Sequence, residues 1–269
     1  MTTWVLLRGL MRESRHWGEF PQLLQHEMSA PVVTLDFPGN GSLYRQRSAN
    51  RVEQMVEYAR AQLKLLGYAP PYHVLALSLG AMVAEAWSEL HAAELEKMVL
   101  LNTSLAPYNP FYQRLRPVNY PALISLLYGP TTRREKLILR LTSNRSHTEN
   151  MRAILQQWVA YAEEYPISSA NILRQLHAAM RYRAAMSPPQ VTTLLLAGQQ
   201  DQLVNLKCSL KLAQCWGCDI RVHPTAGHDL PLDDGEWVVR QVKASTETHK
   251  YRNMKRQIFP HGGVARRCI

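Results

Sequence analysis

Ser78, Asp201 and His228 are the side chains of this chain best suited to acyl chemistry, although they lie far apart in sequence. Ser78 ends the apolar stretch Tyr72–Leu77 and is followed by Leu79-Gly80. A neutral hydroxyl is a weak nucleophile and needs a base within hydrogen-bond reach. An imidazole can take the proton and return it to a leaving group, and a carboxylate can hold that imidazole in the right tautomer. Each residue also has a plainer reading. Ser78 could cap a helix, Asp201 could sit in a turn near a helix start, and His228 could be a core or surface histidine. Asp229, Asp233 and Asp234 are further carboxylates close to His228, in the place of caps for a last helix.

The elements around these residues decide between the readings. Short apolar runs at Trp4–Leu7, Val32–Leu35, Tyr72–Leu77, Lys97–Leu101, Thr192–Ala197 and Asp219–His223 read as strands. Most are continuously apolar, as strands covered on both faces are. Amphipathic stretches near 17–27, 51–66, 80–92, 201–215 and 233–244 alternate with them. That alternation predicts an α/β fold with a doubly wound, mostly parallel sheet of about six strands. Ser78, Asp201 and His228 each fall just past a strand, so all three come to the carboxyl edge of the sheet, where ligands bind in this architecture. At Ala76-Leu77-Ser78-Leu79-Gly80 the small residues two before and two after the serine suit a sharp strand-to-helix turn that lifts its hydroxyl above the sheet.

Residues 105–190 break the rhythm, with no clear strand. Thr132-Arg-Arg-Glu135 and Ser146-His-Thr-Glu149 read as capping boxes. Apolar stripes follow at Met151, Ile154, Leu155, Trp158, Val159 and Ala162, and at Ile172, Leu176, Ala179 and Met180. An insertion this long between strands usually covers a site. The chain thus divides into a core of 1–104 and 191–247, a helical cap of 105–190 and a basic tail of 248–269, expected to be mobile or loosely docked.

The formal net charge of +10 is unevenly spread. The cap holds 11 Lys and Arg against 4 Asp and Glu, the tail 6 against none, and the core 14 against 17. Basic surface of this kind steers acidic partners, whether nucleic acid, anionic lipid, an acidic acyl carrier or a carboxylate substrate, or is merely solvated. No nucleic-acid motif is present. No apolar run is long enough for a membrane span. A strand beginning at Trp4 leaves no room for a signal peptide, and the expected location is the cytoplasm. Cys215-Trp-Gly-Cys218 has the spacing of a redox pair or half a zinc site, but nothing nearby completes a metal site. The plainer reading is a helix end stopped by Gly217, with two buried thiols.

Taken together, residues 4 to about 245 resemble the α/β-hydrolase fold family. Asp36-Phe-Pro-Gly39-Asn-Gly41-Ser42 is similar to its D-x-P-G-x-G-x-S turn, Arg8-Gly9-Leu10 occupies the place of its His-Gly-x loop, and the insertion sits where it carries a helical cap. The resemblance implies a Ser78–His228–Asp201 triad and an oxyanion hole formed by the backbone N–H groups of Leu10 and Leu79. Three departures stand out. Arg8 replaces the usual His, the opening antiparallel strands are absent, and Asn102 rather than Asp follows the fourth strand, which favours Asp201 as the acid. The substrate pocket is expected between Ser78 and the cap, with Arg8, Leu10, Tyr108, Trp158 and Met180 as candidate lining.

The reading that follows is a serine hydrolase cleaving a carboxylic ester or thioester through an acyl-enzyme, with no metal and no organic cofactor. Two alternatives stay open. One is a lyase of the menaquinone-pathway type that uses the same triad as a base. The other is a catalytically silent scaffold that binds an acidic partner.

Overall fold

A computed structural model describes residues 2–145 and 149–258. The expected strands form, with bounds extended by at most two residues: β1 (Thr3–Leu7), β2 (Val32–Leu35), β3 (Tyr72–Leu77), β4 (Leu95–Leu101), β5 (Thr192–Gly198) and β6 (Asp219–His223). They make one six-stranded sheet in the order β2-β1-β3-β4-β5-β6. Every pairing is parallel.

Alternate residues of each strand feed opposite faces. On one face Val5, Leu7, Val74, Ala76, Met98, Leu100 and Leu195 pack against Val56, Leu63, Val83, Trp87 and Leu212. The helices in chain order are α1 (Phe20–Met28), α2 (Val52–Leu65), α3 (Leu79–Leu90), α4 (Phe111–Arg114), α5 (Tyr120–Ser125), α6 (Thr131–Thr142), α7 (Glu149–Glu164), α8 (Ser169–Arg181), α9 (Lys207–Trp216) and α10 (Leu230–Ile258). This first face is covered by α2, α3 and α9. On the other face Trp4, Leu6, Leu75, Val99, Leu101, Leu194 and Leu196 meet Phe20 and Leu24 of α1 and Val238 and Val242 of α10. Both faces are covered, which is why the strands are apolar without alternation. The chain runs from β1 outward to β2 and returns to β3 beside β1. The carboxyl ends of β1 and β3 therefore flank the point where the winding reverses.

The 105–190 segment contributes no strand to the sheet and is helical through α4–α8. It has its own apolar cluster, in which Met11 of the core joins Leu126, Ile138, Leu139, Met151, Trp158 and Ile172.

Four sequence expectations need correction. The Thr132–Glu135 box caps nothing, because α6 starts two residues earlier than the box implies, with Pro130 as N-cap, and Glu135 turns inward to Arg12, at 2.7 Å. The α8 stripe holds at Ile172, Leu176 and Ala179 but fails at Met180. Its buried residues are Asn171, Ile172, Gln175 and Ala178, while Met180 is 76% exposed. Polar Asn171 and Gln175 face inward to bind Ser48 and Asn40. The core–tail boundary at 247 falls inside α10, which continues to Ile258. Residues 259–269 of the tail, and Ser146–Thr148 of the second box, lie outside the described residues. Finally, α9 does end at Gly217 (φ 63°), but only Cys215 of the pair is buried, Cys218 being half-buried. No described helix is long and apolar enough to cross a membrane.

Candidate active site

Ser78 stands between the end of β3 and the start of α3 with φ 56° and ψ −114°. A positive φ is costly for a residue with a Cβ and persists only where the surroundings over-determine it. Here its N–H donates to the Leu101 carbonyl at 3.0 Å, and its own carbonyl accepts from Ala81 N at 3.0 Å. Ala76 pairs in register with Leu7, so β1 and β3 run side by side up to the turn. At Gly80 an added Cβ would lie 2.4 Å from the Leu7 carbonyl and 2.7 Å from that of Arg8. Both are backbone atoms that cannot give way, so α3 passes β1 only because residue 80 has no side chain. The loop leaving β1 crosses directly over the serine: a Cβ on Gly9 would sit 3.3 Å from Ser78 Cβ and 3.9 Å from its hydroxyl. Ser78 is half-buried while its neighbours Leu77 and Leu79 are buried. Leu79 is the first residue of α3, and N–H groups of a first turn have no partner within the helix.

The acid and the imidazole do meet. His228 Nδ1 lies 2.7 Å from Asp201 Oδ2, with both side chains almost wholly buried. The other Asp201 oxygen accepts from the N–H groups of Leu203 at 2.8 Å and Val204 at 3.0 Å, which fixes the carboxylate. Burial disfavours the charged imidazole, but the Asp201 charge and hydrogen bond, helped by Asp229, outweigh it, so the His228 pKa is raised above its usual value. Among the described residues neither the Ser78 hydroxyl nor His228 Nε2 has a hydrogen-bond partner. Catalytic hydrogen bonds are often long without substrate and tighten when it binds.

Asn102 holds the histidine loop in place. It adopts φ 45° just past β4. Its amide nitrogen donates to the carbonyls of Gly227 at 2.9 Å and His228 at 2.7 Å, and its amide oxygen accepts from Gly198 N at 2.8 Å. An Asp here could not donate to two carbonyls. Asp233 secures the same loop from the other side, accepting from Gly227 N at 2.7 Å, Ser143 Oγ at 2.6 Å and Asn144 N at 3.3 Å.

The expected substrate residues are placed differently. The Arg8 guanidinium is buried, bonded to both Asp229 oxygens at 3.2 and 2.6 Å, and stacked 4.6 Å from the Trp17 ring. Its charge is taken up within the protein, and Asp229 caps no helix with its side chain. Of the three acids expected to cap the last helix, only Asp234 does so, accepting from Trp237 N at 2.8 Å. The Tyr108 hydroxyl donates to the Ala185 carbonyl at 2.7 Å, and its ring packs edge-on to Trp216 beneath α9. Trp158 is buried in the cap, with the Arg12 guanidinium 4.9 Å from its ring. Leu10 is half-buried in the loop that crosses over the serine, and Tyr108 is half-buried too.

Sequence reading passed over the buried polar group next to Leu10. Arg12 bonds Glu135 of α6 and the His16 ring, each at 2.7 Å. Burial, with Arg12 and Arg8 beside it, pushes the His16 pKa well down, so this ring is neutral. The one available hint was the density of charge in Arg8–His16 straight after an apolar strand.

A model of the alpha/beta hydrolase family matches residues 4–241. The chain belongs to that family. Solved α/β-hydrolase folds superpose over nearly the whole chain. One, described as a non-heme bromoperoxidase from Mycobacterium tuberculosis H37Rv, has a TM-score of 0.75 at 19% identity and covers 92% of each chain. A thermophilic esterase from Thermogutta terrifontis has a TM-score of 0.75 at 18% identity, covering 92% of this chain and 90% of its own. An enol-lactonase from Burkholderia xenovorans LB400 has a TM-score of 0.74 at 17% identity, covering 90% of each. No curated protein matches the sequence significantly. At these identities the structural likeness establishes the hydrolase fold, and substrate must be argued from the site.

Proposed function

We propose that the protein is a serine hydrolase that cleaves a carboxylic ester or thioester through an acyl-enzyme on Ser78. The observation that carries this reading is the strained serine turn on the same sheet edge as a buried Asp201–His228 pair. With ψ −114° Ser78 lies outside the left-handed region that the helix-ending Ser29 occupies at φ 47° and ψ 42°, and backbone strain of this kind clusters at functional sites. A buried imidazole bonded through Nδ1 presents Nε2 as the basic nitrogen.

In the proposed sequence His228 takes the Ser78 proton as the hydroxyl attacks the acyl carbonyl. Asp201 stabilises the imidazolium, which then protonates the leaving alcohol or thiol. The N–H groups of Leu79 and Leu10 receive the oxyanion, and such donors are typically worth about 3–4 kcal/mol each. Water then repeats the attack on the acyl-serine with His228 as base. The substrate is a small molecule that meets Ser78 beneath the cap. Solved relatives described as an esterase and an enol-lactonase use a similar fold and support an ester as the bond broken.

Labelling with a fluorophosphonate and a screen of p-nitrophenyl esters and acyl thioesters test this reading. Wild type should be labelled and turn over members of the screen. Ser78→Ala should fold, escape labelling and lose about 10⁴-fold or more in kcat. Turnover that persists in folded Ser78→Ala would remove the acyl-enzyme. Substrate loss by proton abstraction with no trapped acyl group would point to lyase chemistry instead.

A further inference from the structure

We infer that the outer face of the cap, from Phe111 to Arg140, is a docking surface for anionic lipid. Two independent features segregate to this region. The first is apolar exposure. Of the twelve large apolar side chains exposed among the described residues, eight belong to the cap, and five of those lie between Phe111 and Tyr128. Phe111 is 72% exposed, Val118 80% and Tyr128 73%. The four on the core (Leu65, Leu66, Leu90 and Leu210) are scattered leucines of the kind any soluble surface shows. Those of the cap are aromatic or β-branched between 111 and 128, and they crowd into short helices and turns.

The second feature is charge. Between 105 and 145 the chain has seven Lys and Arg, and its one acid, Glu135, is buried against Arg12. Arg133, Lys136 and Arg140 recur at i, i+3 and i+7 along α6, which puts them on one face of the helix, and all three are exposed. None has a hydrogen bond or ion pair among the described residues. The opposite face of α6 buries Ile138 and Leu139, so the helix is fixed and the cations are held outward. This row follows Tyr128 by only a few residues. Exposed rings and exposed cations within one stretch of chain suit the zone where headgroup phosphates meet acyl chains. Each cation near an anionic leaflet adds attraction that falls away within a Debye length. The core without its tail holds 14 Lys and Arg against 17 Asp and Glu, so the cap is the more cationic of these two parts.

Co-sedimentation of the full chain with vesicles tests the assignment. Vesicles containing phosphatidylglycerol should bind the protein and pure phosphatidylcholine vesicles should not, and binding should weaken as salt rises. Arg133→Glu/Lys136→Glu/Arg140→Glu should lower partitioning roughly a hundredfold. Ile124→Ser/Tyr128→Ser should also lower it. Both variants should keep the wild-type melting temperature, because every altered side chain is exposed. Ser78→Ala should bind vesicles like wild type, so the result does not depend on the proposed chemistry. Unchanged partitioning in the α6 triple variant would overturn the proposal. So would loss of binding only on reversing Lys250, Arg252, Lys255 and Arg256, which would assign it to the tail. Capture of a purified acidic acyl carrier protein without any vesicle binding would overturn it in favour of a protein partner.

Discussion

In the sheet body, Val74, Leu75, Val99, Leu100, Leu195 and Leu196 lie fully or almost fully buried between two helical layers. The cap joins that body through apolar side chains, Leu105, Ala178, Tyr182 and Ala184 among them, and through a set of specific polar contacts. Arg12 meets Glu135, and Gln175 bonds Asn40, Ser48 and the Met11 N–H. Asn171 bonds the Ser48 N–H and the Gln46 carbonyl, and Tyr182 donates to Glu85, whose carboxyl burial pushes up to about 9. Burial of apolar area is strong but non-directional. Hydrogen bonds and buried ion pairs add little net energy yet punish any misplacement. The body is thus held by quantity of contact, while polar contacts that accept one arrangement add direction to the cap's apolar ones. The loop carrying Leu10, Met11 and Arg12 belongs to both regions.

The sharpest way to break this contrast is at Arg12. Arg12→Met strands the buried Glu135 and should cost about 3–5 kcal/mol. The double variant Arg12→Met/Glu135→Leu should recover most of that loss, as read from urea denaturation. A double variant as unstable as the single one would mean that the charges themselves hold the cap. A smaller effect is expected at Asn102, inside the body. Asn102→Leu removes three hydrogen bonds to the strand end and histidine loop. It should lower kcat about a hundredfold, the scale of an ångström-sized misplacement, while KM changes little. Asn102→Asp should not rescue it, because a carboxylate would face the carbonyls of Gly227 and His228. If Asn102→Leu changed stability but left kcat intact, the clamp would be purely structural.

The smallest effect concerns pH. His228 must be neutral to act as a base, and its pKa is raised above 6.5, so the rising limb of kcat/KM should lie above that value. A group whose folded pKa is raised contributes stability that is fully present below its unfolded pKa. That stability is lost as pH rises through the folded pKa, so melting temperature should fall across the window in which activity rises. Asp201→Asn should flatten the stability change. A rising limb left in place by Asp201→Asn would show that a group other than His228 titrates.

The contrast between regions also explains what was legible in sequence. The six strands were readable because burial on both faces writes continuous apolar runs, and Ser78 because a strand–Ser–small pattern is local. Gly217 likewise ended α9 as its sequence implied. Partners more than a hundred positions apart were not readable. Arg8 looked available to a substrate because nothing nearby in sequence announces Asp229, and the capping box at Thr132–Glu135 gave way to a distant Arg12. On α8 apolar spacing named Met180 as inward-facing, whereas the buried face is set by the amides of Asn171 and Gln175. Periodicity finds apolar faces and misses the polar contacts that α8 adds to them.

Asp233 carries one further consequence. A single carboxylate receives the N–H beside the proposed base and, on its other side, the hydroxyl and amide at the end of α6. Exchange of this cap for one from a relative would therefore succeed only if the graft still brought a hydroxyl donor and an N–H to that point. The freedom to remodel specificity by swapping whole caps ends at Ser143.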